Sequence, residues 1–135
     1  QEITSEFNSE YQCEDNLTLW GSITGKDFEA FWKSIDVFLL PCRGPEAFGR
    51  VIVEAQMRGK LVLTVAHGSI PELVVNEVNG LLLNKIDIVA SALCEINKID
   101  KNRFHYIKIA QVGKETAQKF SVESYFDKLF GSFHE

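Results

Sequence analysis

The stretch from Val37 to Ala55, Val-Phe-Leu-Leu-Pro-Cys-Arg-Gly-Pro-Glu-Ala-Phe-Gly-Arg-Val-Ile-Val-Glu-Ala, limits the possible folds more than any other part of the chain. An apolar run over Asp36–Leu40 stops at Pro41, which has no N–H to give to a ladder. Its shortness and continuity are the signature of a strand covered on both faces. A Gly/Pro-rich loop follows, and a helical pattern opens at Phe48-Gly49 and closes at Gly59. Strand, small-residue turn and helix start is how α/β proteins build anion sites. The first helical N–H groups have no internal partner, and the helix dipole adds partial positive charge beside them.

Arg50 falls in the first turn of that helix, where the dipole disfavours a cation by about 0.3–1 kcal/mol. Arg43 lies in the same loop of a chain whose formal net charge is −5. Two arginines beside exposed amides suit a phosphate or diphosphate. Arg50, Glu54 and Arg58, spaced i, i+4 and i+8, equally suit a solvated face laced by ion pairs. Spacing alone leaves both readings open.

Composition excludes several classes. A chain of 135 residues with 45% hydrophobic and 24% charged residues suits one soluble domain with a real core. The acidic balance leaves no basic stripe for a nucleic-acid strand. No apolar run approaches the ~18–20 residues of a spanning helix. Cys13, Cys42 and Cys94 are odd in number and lack ligand spacing, and His67, His105 and His134 are scattered. Neither a disulfide framework nor a metal site is expected, and a reducing, cytoplasmic setting fits. Cys42 is better read as a small half-buried residue than as a nucleophile. Gln1 opens the chain where Met would be expected, and no signal-peptide pattern follows, so the chain reads as a piece of a longer protein.

Along the chain, residues 1–15 are polar and end-like. Leu17–Trp20 is a strand candidate closed by Gly21-Ser22. Phe28, Phe31, Trp32 and Ile35 recur at i, i+3, i+4 and i+7, an aromatic face of one helix. Leu61–Val65 and Leu81–Leu83 read as strands, with a short helix at Ile70–Val74 carrying Pro71 in its first turn and a turn at Asn79-Gly80. Ile86, Val89, Leu93 and Ile96 share one helical face. Tyr106, Ala110, Gly113 and Ala117 share another on a helix over Asn102–Lys119. A last helix opens at Ser121 and gathers Val122, Tyr125, Phe126, Leu129 and Phe130. Strands alternating with helices predict a parallel, Rossmann-like α/β sheet with helices on both faces. Ligands of such sheets bind at the carboxyl ends of the strands.

These segments carry a resemblance. Trp20-Gly21, Ile35–Pro41, Glu46-Ala-Phe-Gly49, Val53-Glu-Ala55, Gly59, Gly68-Ser-Ile-Pro-Glu-Leu-Val74, Asn79-Gly-Leu-Leu82 and Lys119-Phe-Ser-Val-Glu123 stand in order. Together they resemble the C-terminal, donor-binding domain of retaining GT-B glycosyltransferases of family 4, the group 1 glycosyl transferases. The likeness runs from about Leu17 to Phe126 and centres on that family's E-x(7)-E motif, matched by Glu46 and Glu54.

The resemblance implies a site and a reaction. Glu54 would accept hydrogen bonds from the two adjacent ribose hydroxyls of a nucleotide sugar, since a carboxylate has two oxygens for a vicinal diol. Glu46 would hold the donor sugar and is the catalytic candidate. The backbone around Ala47, Phe48, Gly49 and Arg50 would contact sugar or diphosphate. Trp20, Gly21, Ser22 and Ile23 would lie near the base. The implied reaction moves a hexose from an NDP-sugar to an acceptor in polysaccharide or glycoconjugate biosynthesis, with no metal or other cofactor. A non-catalytic scaffold or binding module, and a sugar-nucleotide epimerase of the same architecture, are the alternatives.

The chain also departs from the pattern. Ala47 stands where Gly or Ser is common, Arg50 where an apolar residue is, Leu61 where Pro is, and Ser69 where a second Gly is. In the family the donor domain begins two strands earlier, with an Arg and a Lys that grip the diphosphate. The chain therefore reads as a single truncated C-terminal nucleotide-sugar domain, residues 1–135, of a two-domain protein. Its N-terminal acceptor-binding domain is expected elsewhere in the parent, the parent is expected to be peripheral to a membrane, and the piece alone is expected to be inactive. The missing strands would leave edges open to pairing, which predicts a homodimer or a rearranged edge.

Overall fold

The structure, a computed structural model, describes residues 18–44 and 49–121. The chain divides into two compact units, residues 1–34 and 35–135, each described by itself.

In the first unit, α1 spans Lys26–Ser34. Asp27 and Glu29 in its first turn and Lys33 in its last suit the helix dipole. The aromatic face expected from the spacing forms: Phe31 meets Trp32 edge-to-face at 5.2 Å, Phe28 meets Trp32 at 6.2 Å, and Trp20 meets Phe31 at 5.8 Å. Residues 18–20 are not a strand, contrary to the expectation for Leu17–Trp20; Leu17 itself lies outside the described residues. An alternating apolar tetrapeptide has strand propensity, but a strand exists only where a neighbour supplies the ladder.

The second unit is built on a parallel sheet ordered β1-β2-β3, with β1 at Val37–Leu40, β2 at Leu61–Val65 and β3 at Leu81–Leu83. Val37 pairs with Leu61 and Leu40 with Thr64; Leu63 pairs with Leu81 and Val65 with Leu83. Between the strands run α2 (Arg50–Met57) and the short α3 (Ile70–Leu73), and after them α4 (Ile88–Lys101) and α5 (Arg103–Ala117). All five residues of β2 are buried. β1 is not covered as its apolar run predicts: Leu39 is 40% exposed. A continuous apolar run is common to central and marginal strands, and β1 is marginal in the described sheet.

Helices cover both faces. Leu61, Leu63, Val65, Leu81 and Leu83 form one core with Ala92 of α4 and Ile109 and Ala110 of α5. On the opposite face Val74, just after α3, lies against the Val62–Gly80 pair. A Cβ on Gly80 would come within 2.9 Å of Val74 Cγ1 and 3.7 Å of Val62 Cβ.

Of the expected stripe, Ile86 lies before α4, while Val89, Leu93 and Ile96 share a face of the helix as their spacing predicts; all four are 46–96% exposed. The helix instead turns Ala92, Ile88 and Ile99 to the sheet, roughly 100° round from the stripe at 3.6 residues per turn. Small Ala92 lets the helix sit close, and close approach, not the longest apolar stripe, sets its rotation. On α5 the expected face is inward: Ala110, Gly113 and Ala117 are buried and Tyr106 is half-buried.

A polar joint fixes α2, α5 and the turn before β3. Buried Asn79 donates from Nδ2 to the Leu73 carbonyl at 2.9 Å, and its Oδ1 accepts from the Val75 N–H at 2.7 Å. Its carbonyl accepts from Gln56 Nε2 at 3.1 Å. Gly113 fits against that carbonyl because it has no side chain.

Candidate functional site

Three segments of the second unit lie at the carboxyl ends of the strands: the loop beginning at Pro41, the start of α2, and the loop after Val65. That end is where open parallel sheets bind ligands. The N-cap of α2 is Gly49, buried and left-handed at φ 69°, with no side-chain cap. An L residue would be strained there, so glycine lets the chain turn directly from loop to helix. Ile52 and Val53 N–H groups return to the Gly49 carbonyl. The N–H groups of Arg50 and Val51 have no partner among the described residues. Amides without a partner among the described residues, at the positive end of the helix, are the feature with which helix starts hold anions.

Glu54 lies one turn further on. It is half-buried, and its carboxylate has no hydrogen-bond or ion-pair partner among the described residues. Arg58 Nη1 donates to the Glu54 carbonyl at 3.1 Å, not to the carboxylate. Arg50 is exposed and likewise has no ion-pair partner among the described residues. The ion-paired stripe that the i, i+4, i+8 spacing allowed is therefore not formed at Glu54. Among the described residues its two oxygens have no donor, an arrangement suited to a pair of hydroxyls.

Behind these groups the helix is anchored firmly. Ile52, Val53, Ala55 and Gln56 are buried. The C-terminus closes through Gly59, at φ 68°: its N–H donates to Gln56 at 2.8 Å, and the Lys60 N–H donates to Ala55 at 3.0 Å. The sheet end is fixed as well, since the Thr64 hydroxyl donates across to the Leu40 carbonyl at 3.0 Å.

The other expected site residues fall in two groups. Glu46, Ala47 and Phe48 lie outside the described residues. Trp20, Gly21, Ser22 and Ile23 belong to the first unit, where Trp20 is exposed, Gly21 takes φ 63° and Ile23 is half-buried. Sequence reasoning passed over His67, which follows β2 at the same sheet end and is half-buried. Its position directly after an apolar strand was the available signal. Among the described residues no three His, Cys, Asp or Glu side chains gather as a metal site. No described helix is long and apolar enough to cross a membrane.

A groove of about 720 Å³ opens elsewhere, between α4 and α5 at the amino ends of β1 and β2. Val37, Leu61, Ile96, Ile99, Tyr106 and Ile107 line it. Asp36, Lys60, Asn97, Asp100, Arg103 and Gln111 line it as well, and it lies at the opposite end of the sheet from the start of α2 and Glu54.

Comparison with known proteins bears on the site. The family described as glycosyl transferases group 1 matches residues 4–119. A GDP-mannose-dependent alpha-(1-6)-phosphatidylinositol monomannoside mannosyltransferase of Mycobacterium tuberculosis is 32% identical over 114 residues, covering 77% of this chain and 29% of the relative. An uncharacterized 41.2 kDa protein in the cps region of Klebsiella pneumoniae is 34% identical over 92 residues, 68% of this chain and 24% of the relative. Among solved structures, Anabaena Alr3699/HepE in complex with UDP and glucose superposes with a TM-score of 0.80 at 25% identity, over 98% of this chain and 36% of that one. The chain thus spans about a quarter to a third of the length of these proteins.

Proposed function

The chain belongs to the group 1 glycosyl transferase family, and on that premise we propose that it is the nucleotide-sugar half of a retaining, hexose-transferring enzyme. Its partners in this reading are an NDP-sugar and an acceptor-binding domain of the same protein. One observation carries the reading most: half-buried Glu54, whose carboxylate has no partner among the described residues, stands one turn inside a helix whose first amides have none there either. The UDP and glucose bound by the Anabaena relative support the same ligand class.

The chemistry follows from the charges. Glu54 accepts from the two ribose hydroxyls. The amides of Arg50 and Val51, with the Arg50 guanidinium, meet the diphosphate. When the bond between anomeric carbon and phosphate oxygen breaks, its electron pair leaves with the diphosphate, and donors already in place stabilise that growing charge without reorganising. Glu46, assigned through the family motif, holds the hydroxyls of the sugar as it becomes cationic. The reading assigns no metal to this work.

The experiment is a titration of the full-length protein with UDP-, GDP- and ADP-sugars, followed by tryptophan fluorescence. One of the three should bind, and Glu54→Ala should weaken it about 100-fold, the loss of two charge-assisted hydrogen bonds at about 1.5 kcal/mol each. Equal binding by wild type and Glu54→Ala would refute the assignment.

A further inference from the structure

Resting on the donor-site reading above, we infer that Thr64 is a positioning residue, whose buried hydroxyl sets the direction in which residues 41–44 leave the sheet. β2 reads Leu-Val-Leu-Thr-Val and is buried throughout, with Thr64 its one polar side chain, at 0% exposure. Leu61, Leu63 and Val65 meet α4 and α5, so by alternation Val62 and Thr64 face the other way. Valine has nearly the same shape and would bury there without a polar group. A buried hydroxyl is unfavourable unless it is hydrogen-bonded. The bond Thr64 makes is to the Leu40 carbonyl, at 3.0 Å.

That carbonyl is satisfied without Thr64, because it also accepts from the Cys42 N–H at 3.0 Å. A carbonyl oxygen has two lone pairs, and here each has a donor. The Cys42 bond bends the chain just past β1. The Thr64 bond ties that bend to β2, the central strand. Leu40 is the last residue of β1 and Thr64 its partner in register, so the tie sits where the chain leaves the sheet. Pro41 follows with no N–H to offer a ladder. The hydroxyl therefore adds direction more than satisfaction. The segment it aims carries exposed Arg43, a cation suited to the diphosphate. Holding such a segment in one conformation before the ligand arrives raises affinity by lowering the ordering cost of binding.

The test uses the full-length protein and three pairs of probes, UDP with uridine, GDP with guanosine and ADP with adenosine, titrated by NMR. The diphosphate that binds wild type should bind Thr64→Val about fivefold more weakly, the weight of one neutral hydrogen bond. Its nucleoside should bind both proteins alike, because the loss falls on the part of the ligand that residues 41–44 would meet. Thr64→Ser, which keeps the hydroxyl, should recover most of the loss. The inference falls if Thr64→Val binds the diphosphate like wild type or if serine restores nothing. It falls equally if nucleoside and diphosphate weaken by one factor, the mark of a general effect on the fold. Glu54→Ala measured in parallel separates the two readings. If it leaves binding intact, the donor-site reading fails; if it weakens binding while Thr64→Val does not, only the present inference fails.

Discussion

Gly113→Ala sets two well-known effects against each other. In the interior of an exposed helix the change is favourable by about 1 kcal/mol, because alanine loses less backbone entropy. Here an added Cβ would stand 2.8 Å from the Asn79 carbonyl oxygen and 3.5 Å from Gln56 Cγ. To restore ordinary contact, α5 and the turn must part by about half an ångström. The carbonyl cannot retreat freely, since Asn79 is held by Leu73 and Val75 through its side chain and by Gln56 through that same oxygen. Overpacking of this kind costs about 1–3 kcal/mol, and a buried hydrogen bond lengthened in response adds about 1 more. The net expectation is a loss of about 1–3 kcal/mol. Urea unfolding followed by circular dichroism would read it as a lower midpoint with unchanged slope. A Gly113→Ala chain as stable as wild type, or more so, would show that propensity wins and that α5 does not press on Asn79.

Other substitutions test other parts. Gly49→Ala places a side chain at φ 69°; it should cost about 1–2 kcal/mol in unfolding experiments and weaken donor binding together with stability. Leu93→Ser, on the exposed α4 stripe, should change stability by less than about 0.5 kcal/mol, and a larger loss would mean that the stripe is covered. Burial pushes the Tyr106 phenol above its ordinary value, with the Glu95 carboxylate adding to the effect. The stability linked to this group is complete below the unfolded value of about 10 and is lost as pH rises through the folded one. Tyr106→Phe should therefore reduce the alkaline fall in stability above that pH, as measured by thermal melts. Chelation with EDTA should leave transfer by the full-length protein unchanged, and a loss restored by added metal would overturn the metal-free reading.

Much of the sheet was legible because its signals are local. β2 and β3 begin and end where their apolar runs do, and Pro71, Gly59 and Asn79-Gly80 mark the punctuation between elements. What escaped depends on neighbours distant in sequence. Whether residues 18–20 join a ladder, whether Leu39 is covered, and which way α4 rotates are all decided by packing. The geometry around the candidate residues was legible in the same partial way. Spacing placed Glu54 on α2 but allowed it to be satisfied by Arg50 or Arg58, and only the fold shows that neither pairs with its carboxylate. Gln56 and Asn79 are 23 positions apart, so no window of sequence joins them.

That last pair governs more than stability. Gln56 is two residues beyond Glu54 and therefore on the opposite flank of α2, its amide hooked to a turn that Gly113 keeps seated. The helix is thus held from its hidden side, and on the proposed reading the tilt of the acid that would meet the ligand is inherited from that knot. Variants at 79 or 113 that remain folded should then masquerade as defects of affinity, far from where the affinity is made.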